Sequence, residues 1–161
     1  MTHSLHVNAP AGLPYIDTER DFDAPVPAVF DAHRDPEKLK RWMGPDDLSV
    51  EIPELDFTTH GGWRMVHRDA DGNEYAFHGT FHTVRENDLA VQTFEFDGAP
   101  DQVSLEFLTF TDLGDGRTRL SAHAVYPSLE ARDAMVASGM ETGMTEGYRK
   151  LDDLLAGAVA R

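Results

Sequence analysis

The segment from Gly62 to Val84 constrains this chain most. Its centre, Asp69-Ala70-Asp71-Gly72-Asn73, is made of residues that accept tight-turn backbone. On either side the residues alternate in character. Centring the turn on Asp71 sets Trp63 opposite Gly79, Met65 opposite Phe77 and His67 opposite Tyr75 on one face. The other face then pairs Arg64 with His78, Val66 with Ala76 and Arg68 with Glu74. One face is aromatic and apolar, the other charged, and a slip of one residue would mix the two sets. The chain therefore contains an antiparallel hairpin with a dry side and a wet side. A lone hairpin is marginal in water, so its dry side requires further strands or a helix against it.

The rest of the chain supplies them. Residues 1–13, with Pro10 and Gly12, read as a flexible lead-in, and 14–161 as a single domain. Ile16, Thr18, Arg20 and Phe22 alternate with acids and predict a strand over 15–22. "DAPVP" breaks it, and a short helix follows over 26–34. Asp35-Pro36 opens a second helix through Trp42, which Gly44-Pro45 ends. Strands are predicted at 48–57 with a bulge at Pro53, 62–68, 74–84, 89–96, 103–113 and 117–126. The last two flank Gly114-Asp115-Gly116 as a second hairpin. Direct pairing across it puts Leu105, Phe107, Leu113, Leu120, Ala122, Ala124 and Tyr126 inside. Glu106, Asp112, Arg119 and His123 then face out, with Asp112 beside Arg119. From Ser128 to Val159 the period becomes helical, with Met140, Met144, Tyr148, Leu151 and Leu155 on one face of one long helix. This order predicts an α+β fold, a curved antiparallel β-sheet wrapped around a long C-terminal α-helix, with two short helices after the first strand.

Composition excludes several functions. Twenty-nine acidic against 14 basic residues give a net charge of −15, which repels phosphate backbones and anionic lipid. No nucleic-acid or membrane partner is expected. There is no cysteine, so thiol chemistry, disulfides and cysteine-ligated metal are absent. No apolar run approaches the ~20 residues of a membrane span. The N-terminus lacks a signal-peptide pattern, so a cytoplasmic location is expected. His78 and His82 share a strand face, but four strand residues span roughly 13 Å, too far for one metal ion. Neither a metal nor another cofactor is expected. Nucleophile-elbow, phosphate-loop and dinucleotide motifs are missing.

Three stretches together resemble one family. "RDFDAPVPAVFDAHRDPEKLKRWMGP" is similar to the N-terminal signature of the activator-of-Hsp90-ATPase-like family, a branch of the START-like (SRPBCC) helix-grip superfamily. "GGWRMVHRDADGNEYAFHGTFHTV" resembles its central hairpin and "SGMETGMTEGYRKLDDLL" its C-terminal helix. The chain departs from the pattern at Trp42-Met43, where two aromatics are usual, and at Gly147-Tyr148, where Gly-Trp is usual. The resemblance implies a helix-grip fold with an apolar cavity between sheet and helix, and carries no fixed catalytic set.

Within that frame, the expected cavity is lined by Trp63, Met65, Phe77, Phe107, Met140, Met144 and Tyr148, with Trp42 near its entrance. A useful pocket of this kind holds about 300 Å³ or more. His67 and Tyr75, side by side on the inner face, either bind a ligand's polar group and serve as acid and base, or are bonded locally. Arg20 either clamps a ligand anion or pairs with an acid such as Glu141 or Glu146. Gly139, Gly143 and Gly147 form a stripe that either opens room for a ligand or lets the helix lie close to a strand. The leading expectation is binding of a small hydrophobic molecule, aromatic or acyl. The alternative is a polyketide cyclase/dehydratase-like enzyme using His67, Tyr75 and Arg20. A co-chaperone stimulating a heat-shock ATPase ranks third. The oligomeric state, homodimer included, stays open.

Overall fold

The computed structural model describes residues 3–159 and has the expected α+β architecture. Strands β1 (His6–Asn8) and β2 (Tyr15–Phe22) precede helices α1 (Val26–Arg34) and α2 (Pro36–Trp42). Then come β3 (Ser49–Leu55), β4 (Gly62–Arg68), β5 (Glu74–Arg85), β6 (Leu89–Phe96), β7 (Ser104–Gly114) and β8 (Arg117–Val125). Helices α3 (Leu129–Ala137) and α4 (Met140–Val159) close the described chain. All strands are antiparallel in one eight-stranded sheet ordered β1-β2-β8-β7-β6-β5-β4-β3.

Several elements form for the local reasons read above. The β4–β5 register pairs Trp63 with Gly79, Met65 with Phe77 and His67 with Tyr75. Asp69 organises the turn by accepting from the backbone N–H groups of Asp71 and Asn73 at 3.0 and 2.9 Å. The Asp35 carboxylate caps α2 by accepting from Glu37 N at 2.9 Å, with Pro36 in the first turn. The β3–β4 register shifts between Glu51 and Glu54, around Pro53, which lacks a donor.

Three features differ from the expectation. Residues 6–8 of the lead-in form edge strand β1, with Val7 opposite Thr18 on β2. The C-terminal helix is two helices. Ser128 caps α3, and Gly139, at φ +85°, takes a left-handed conformation that ends it before α4 starts. The third difference is a bulge in β7 between Asp112 and Gly114. It removes Leu113 from the ladder and shifts the pairing, so Phe107 lies opposite His123, Glu106 opposite Ala124, and Phe110 opposite Leu120. Every β7 side chain therefore changes face relative to direct pairing. Phe110 is inside at 4% exposure, whereas Phe107 points outward at 37%. Arg119, opposite Thr111 rather than Asp112, binds Asp21 on β2 at 2.8 and 3.1 Å.

The core fills one end of the space above the sheet. Phe22, Val29, Phe30, Trp42, Phe110, Leu120, Tyr148, Leu151 and Leu155 are packed there from β2, α1, α2, β7, β8 and the C-terminal half of α4. Phe77, Phe94, Phe96 and Ala122 on the sheet are only half-buried, as are Leu108 and Met144, which pack against the edge of this core.

Candidate functional site

The half-open end of the inner face is where the sequence concentrates chemistry. Side-chain alternation brings Phe77 from β5, Gln92 and Phe94 from β6, Glu106 and Leu108 from β7, and Ala122 and Ala124 from β8 to one surface. The rings form a tilted aromatic platform: Phe77 lies 5.4 Å from Phe94 and 5.1 Å from Phe96, and Trp63 lies 5.9 Å from Phe94. The Trp63 indole covers Gly79, where an added Cβ would meet its Nε1 at 2.6 Å and Thr93 O at 2.0 Å. The Trp63 Nε1 is buried without a hydrogen-bond partner among the described residues.

Glu106 stands on this apolar wall. Its cross-strand neighbour Gln92 donates to it through Nε2 at 2.8 Å. Desolvation pushes the Glu106 carboxyl pKa up, partly offset by that hydrogen bond. Yet the residue keeps part of its surface accessible. The carboxyl is thus desolvated on a residue that the core does not fully cover. Burial also raises the Tyr126 and Tyr148 hydroxyls, with the charge of Glu106 adding to the shift in each case. Among the described residues no side chain forms a salt bridge to Glu106. Direct pairing across Gly114–Gly116 puts Glu106 outside, so the bulge alone hides this residue from sequence reasoning. The apolar patterning of Leu108 and Phe110, in phase with Glu106, is the signal that could have revealed it.

The expected site residues are dispersed. Met65 and Phe77 lie on the half-open inner face, and Trp63 beside it is 5% exposed. Trp42 is a core residue at 2% exposure, not an entrance: its Nε1 donates to Ala32 O at 2.9 Å, and its ring stacks on Tyr148 at 5.9 Å. Tyr148 is wedged between Trp42 and Phe22. Phe107 is on the opposite side of the sheet, for the reason given. His67 is buried, with Nε2 unpartnered among the described residues and its ring edge-on to Phe77 at 5.1 Å. Desolvation lowers its pKa, and the Lys150 charge lowers it further. Tyr75 is opposite His67 in register but turns its hydroxyl to Asp69, at 3.4 Å. Arg20 donates to both Asp152 oxygens at 2.6 Å and stacks over Phe22. It is thus a structural pair with an acid of α4, the acid being Asp152 rather than Glu141 or Glu146. His67, Tyr75 and Arg20 do not converge.

The glycine stripe divides likewise. Gly139 is the helix break. A Cβ at Gly143 would meet only Pro45 Cδ, at 3.8 Å. At Gly147 it would meet Trp42 O at 3.1 Å, with the Gly44 backbone close behind, so this glycine lets α4 cross the end of α2. The stripe therefore faces the segment after α2 and not a strand. Met140 and Met144 on the first turns of α4 are half-buried. Two surface clefts, of about 240 Å³ beside Arg41 and Lys150 and about 390 Å³ between α2 and β3, lie away from the aromatic wall. Neither is the enclosed pocket expected from sequence.

The chain is similar to a crystal structure from Rhodobacter sphaeroides at 24% identity and TM-score 0.87, covering 96% of this chain and 99% of that one. A protein from Silicibacter pomeroyi titled AHSA1 matches at 26% identity and TM-score 0.72, covering 88% and 97%. DynU16, described as a putative protein in the dynemicin biosynthetic locus, matches at 20% identity and TM-score 0.67, covering 89% of this chain and 47% of that one. No curated protein matches the chain. The family model described as Activator of Hsp90 ATPase homolog 1-like protein matches residues 23–156, which include both hairpins, the Gln92–Glu106 pair and most of α4, and the chain belongs to that family.

Proposed function

We propose that this protein binds a small, largely apolar molecule, aromatic or acyl, between the inner face of β4–β8 and the first turns of α4. One observation carries the reading: the inner-face residues Phe77, Phe94, Phe96, Leu108 and Glu106 lie on the concave side of the fold yet remain partly accessible. Leaving apolar area wet forfeits about 25 cal/mol per Å². A bound apolar molecule would recover part of it. Titration with Nile red, a neutral hydrophobic dye, tests this. Ala122, half-buried and opposite Leu108, is the place to fill the space. Ala122→Phe is expected to weaken dye binding about tenfold or more while the protein stays folded. Equal binding by both proteins would overturn the reading.

A second reading is an acid–base enzyme acting on a molecule held at the same place. Glu106 favours it, because a desolvated carboxyl of raised pKa holds a proton it can pass to or take from a neighbour. In that case Glu106 does the chemistry, and His67, Tyr75 and Arg20 do not.

A further inference from the structure

Resting on the ligand-binding reading, we propose that Glu106 is the polar anchor of the site and that it selects an apolar primary amine, bound as its ammonium ion. Four observations lead there. First, Glu106 has one hydrogen-bond partner, Gln92, and no ion pair among the described residues. Arg20 and Arg132, whose charges reach Tyr148 and Tyr126, are already engaged. Arg20 is held by both oxygens of Asp152, and Arg132 by Asp133, Pro10 O and Tyr15 O. A buried carboxylate without a counter-charge is costly, and a cation beside it would supply the ion pair it lacks.

Second, the groups around Glu106 are rich in acceptors. Gln92 faces it from β6, and the charge of Glu106 reaches Tyr126, just after β8, and Tyr148 on α4. The Tyr126 and Tyr148 hydroxyls have no hydrogen-bond partner among the described residues. An ammonium has three donors and no acceptor, and finds here a carboxylate with the amide oxygen of its bonded neighbour Gln92 beside it. Third, Phe94 is the diagonal neighbour of Glu106 on the same face, since Gln92 pairs with Glu106 and Phe94 with Ser104. Its ring and that of Phe77 offer π-faces to a cation and apolar contact to the body that carries it. Fourth, a net charge of −15 draws cations and repels carboxylate ligands before contact.

Isothermal titration of phenylpropylamine and of phenylpropanol, which share one apolar body, tests this on the whole protein and on Glu106→Gln. We expect the amine to bind roughly tenfold or more tightly than the alcohol, a difference typical of a charge-assisted hydrogen bond. Glu106→Gln is expected to erase the difference by lowering the affinity for the amine. Equal affinities in the unmodified protein, which needs no variant to fold, would overturn the amine class but leave apolar binding standing. A preference that survives Glu106→Gln would overturn the anchor. If neither molecule binds while Nile red does, the amine class fails alone; if Nile red is also refused, the binding reading itself fails.

Discussion

Glu106 shows how one side chain can take its meaning from its surroundings. Exposed, it would be one acid among many on a very acidic surface. On the inner wall its ionisation is opposed by burial, with Gln92 as the single compensating donor. A carboxyl whose folded-state pKa is raised holds its proton longer than the unfolded chain does. It therefore removes stability as pH rises through the unfolded value of 4.5. Glu106→Gln is expected to melt at a higher temperature than the natural protein at pH 7, with the gap closing as pH falls to about 4.5. Calorimetry across that range checks it, and a lower melting temperature at pH 7 would refute the desolvation argument.

At the scale of elements, the β7 bulge and the α2–α4 crossing decide what each residue does. Phe107 and Phe110 are three residues apart in one strand, so alternation puts them on opposite faces, and the bulge decides which of them is inside. Phe110→Ala should cost about 3–5 kcal/mol, the range for an aromatic removed from a core. Phe107→Ala should stay within about 1 kcal/mol, because much of its ring is already in water. Urea unfolding of the two variants checks the bulge directly, since direct pairing predicts the reverse order. On α4, the gain in helix propensity from Gly143→Ala, about 1 kcal/mol, meets no obstacle and should raise stability. Gly147→Leu gains similarly, but drives its side chain into the Trp42 carbonyl and the Gly44 backbone. Overpacking typically costs about 1–3 kcal/mol, so a net loss is expected. Thermal melts of both variants distinguish crossing from free surface.

For the whole molecule, stability is tied to the ring of His33. It is buried in the core beside Trp42 and Phe110, at 4.9 and 5.3 Å, and its Nδ1–H donates to Val29 O at 2.8 Å. Desolvation lowers its pKa from 6.5 to about 4. A depressed histidine is neutral when folded and charged when unfolded between those values, so the unfolded state binds the extra proton. Stability should fall as pH drops from 6.5 to 4, by about 3 kcal/mol at most from this group. Urea titrations at steps across the window measure the slope. His33→Phe, which keeps a ring and removes the titration, should flatten it; an unchanged slope would mean that other groups dominate.

The sequence by itself determined the element order apart from β1 and the α3–α4 break, most of the other boundaries, and the β4–β5 register. Those features depend on neighbours in the chain: turn residues at 69–73, Asp35-Pro36 at a helix start, and an alternation in which a slip would expose Trp63 and Phe77. Tertiary structure alone decided three others. The parity of β7 hangs on the single unpaired residue at the Asp112–Gly114 bulge, whose local sequence is equally compatible with direct pairing. The role of Trp42 depends on α4 crossing α2 at Gly147, a meeting of segments about a hundred residues apart that no local pattern encodes. The partner of Arg20 is Asp152 because of where the C-terminal half of α4 lies over β2, and several acids of that helix were equally eligible until the helix was placed. Local chemistry sets what a segment becomes, while the position of one segment on another decides which of its side chains meet.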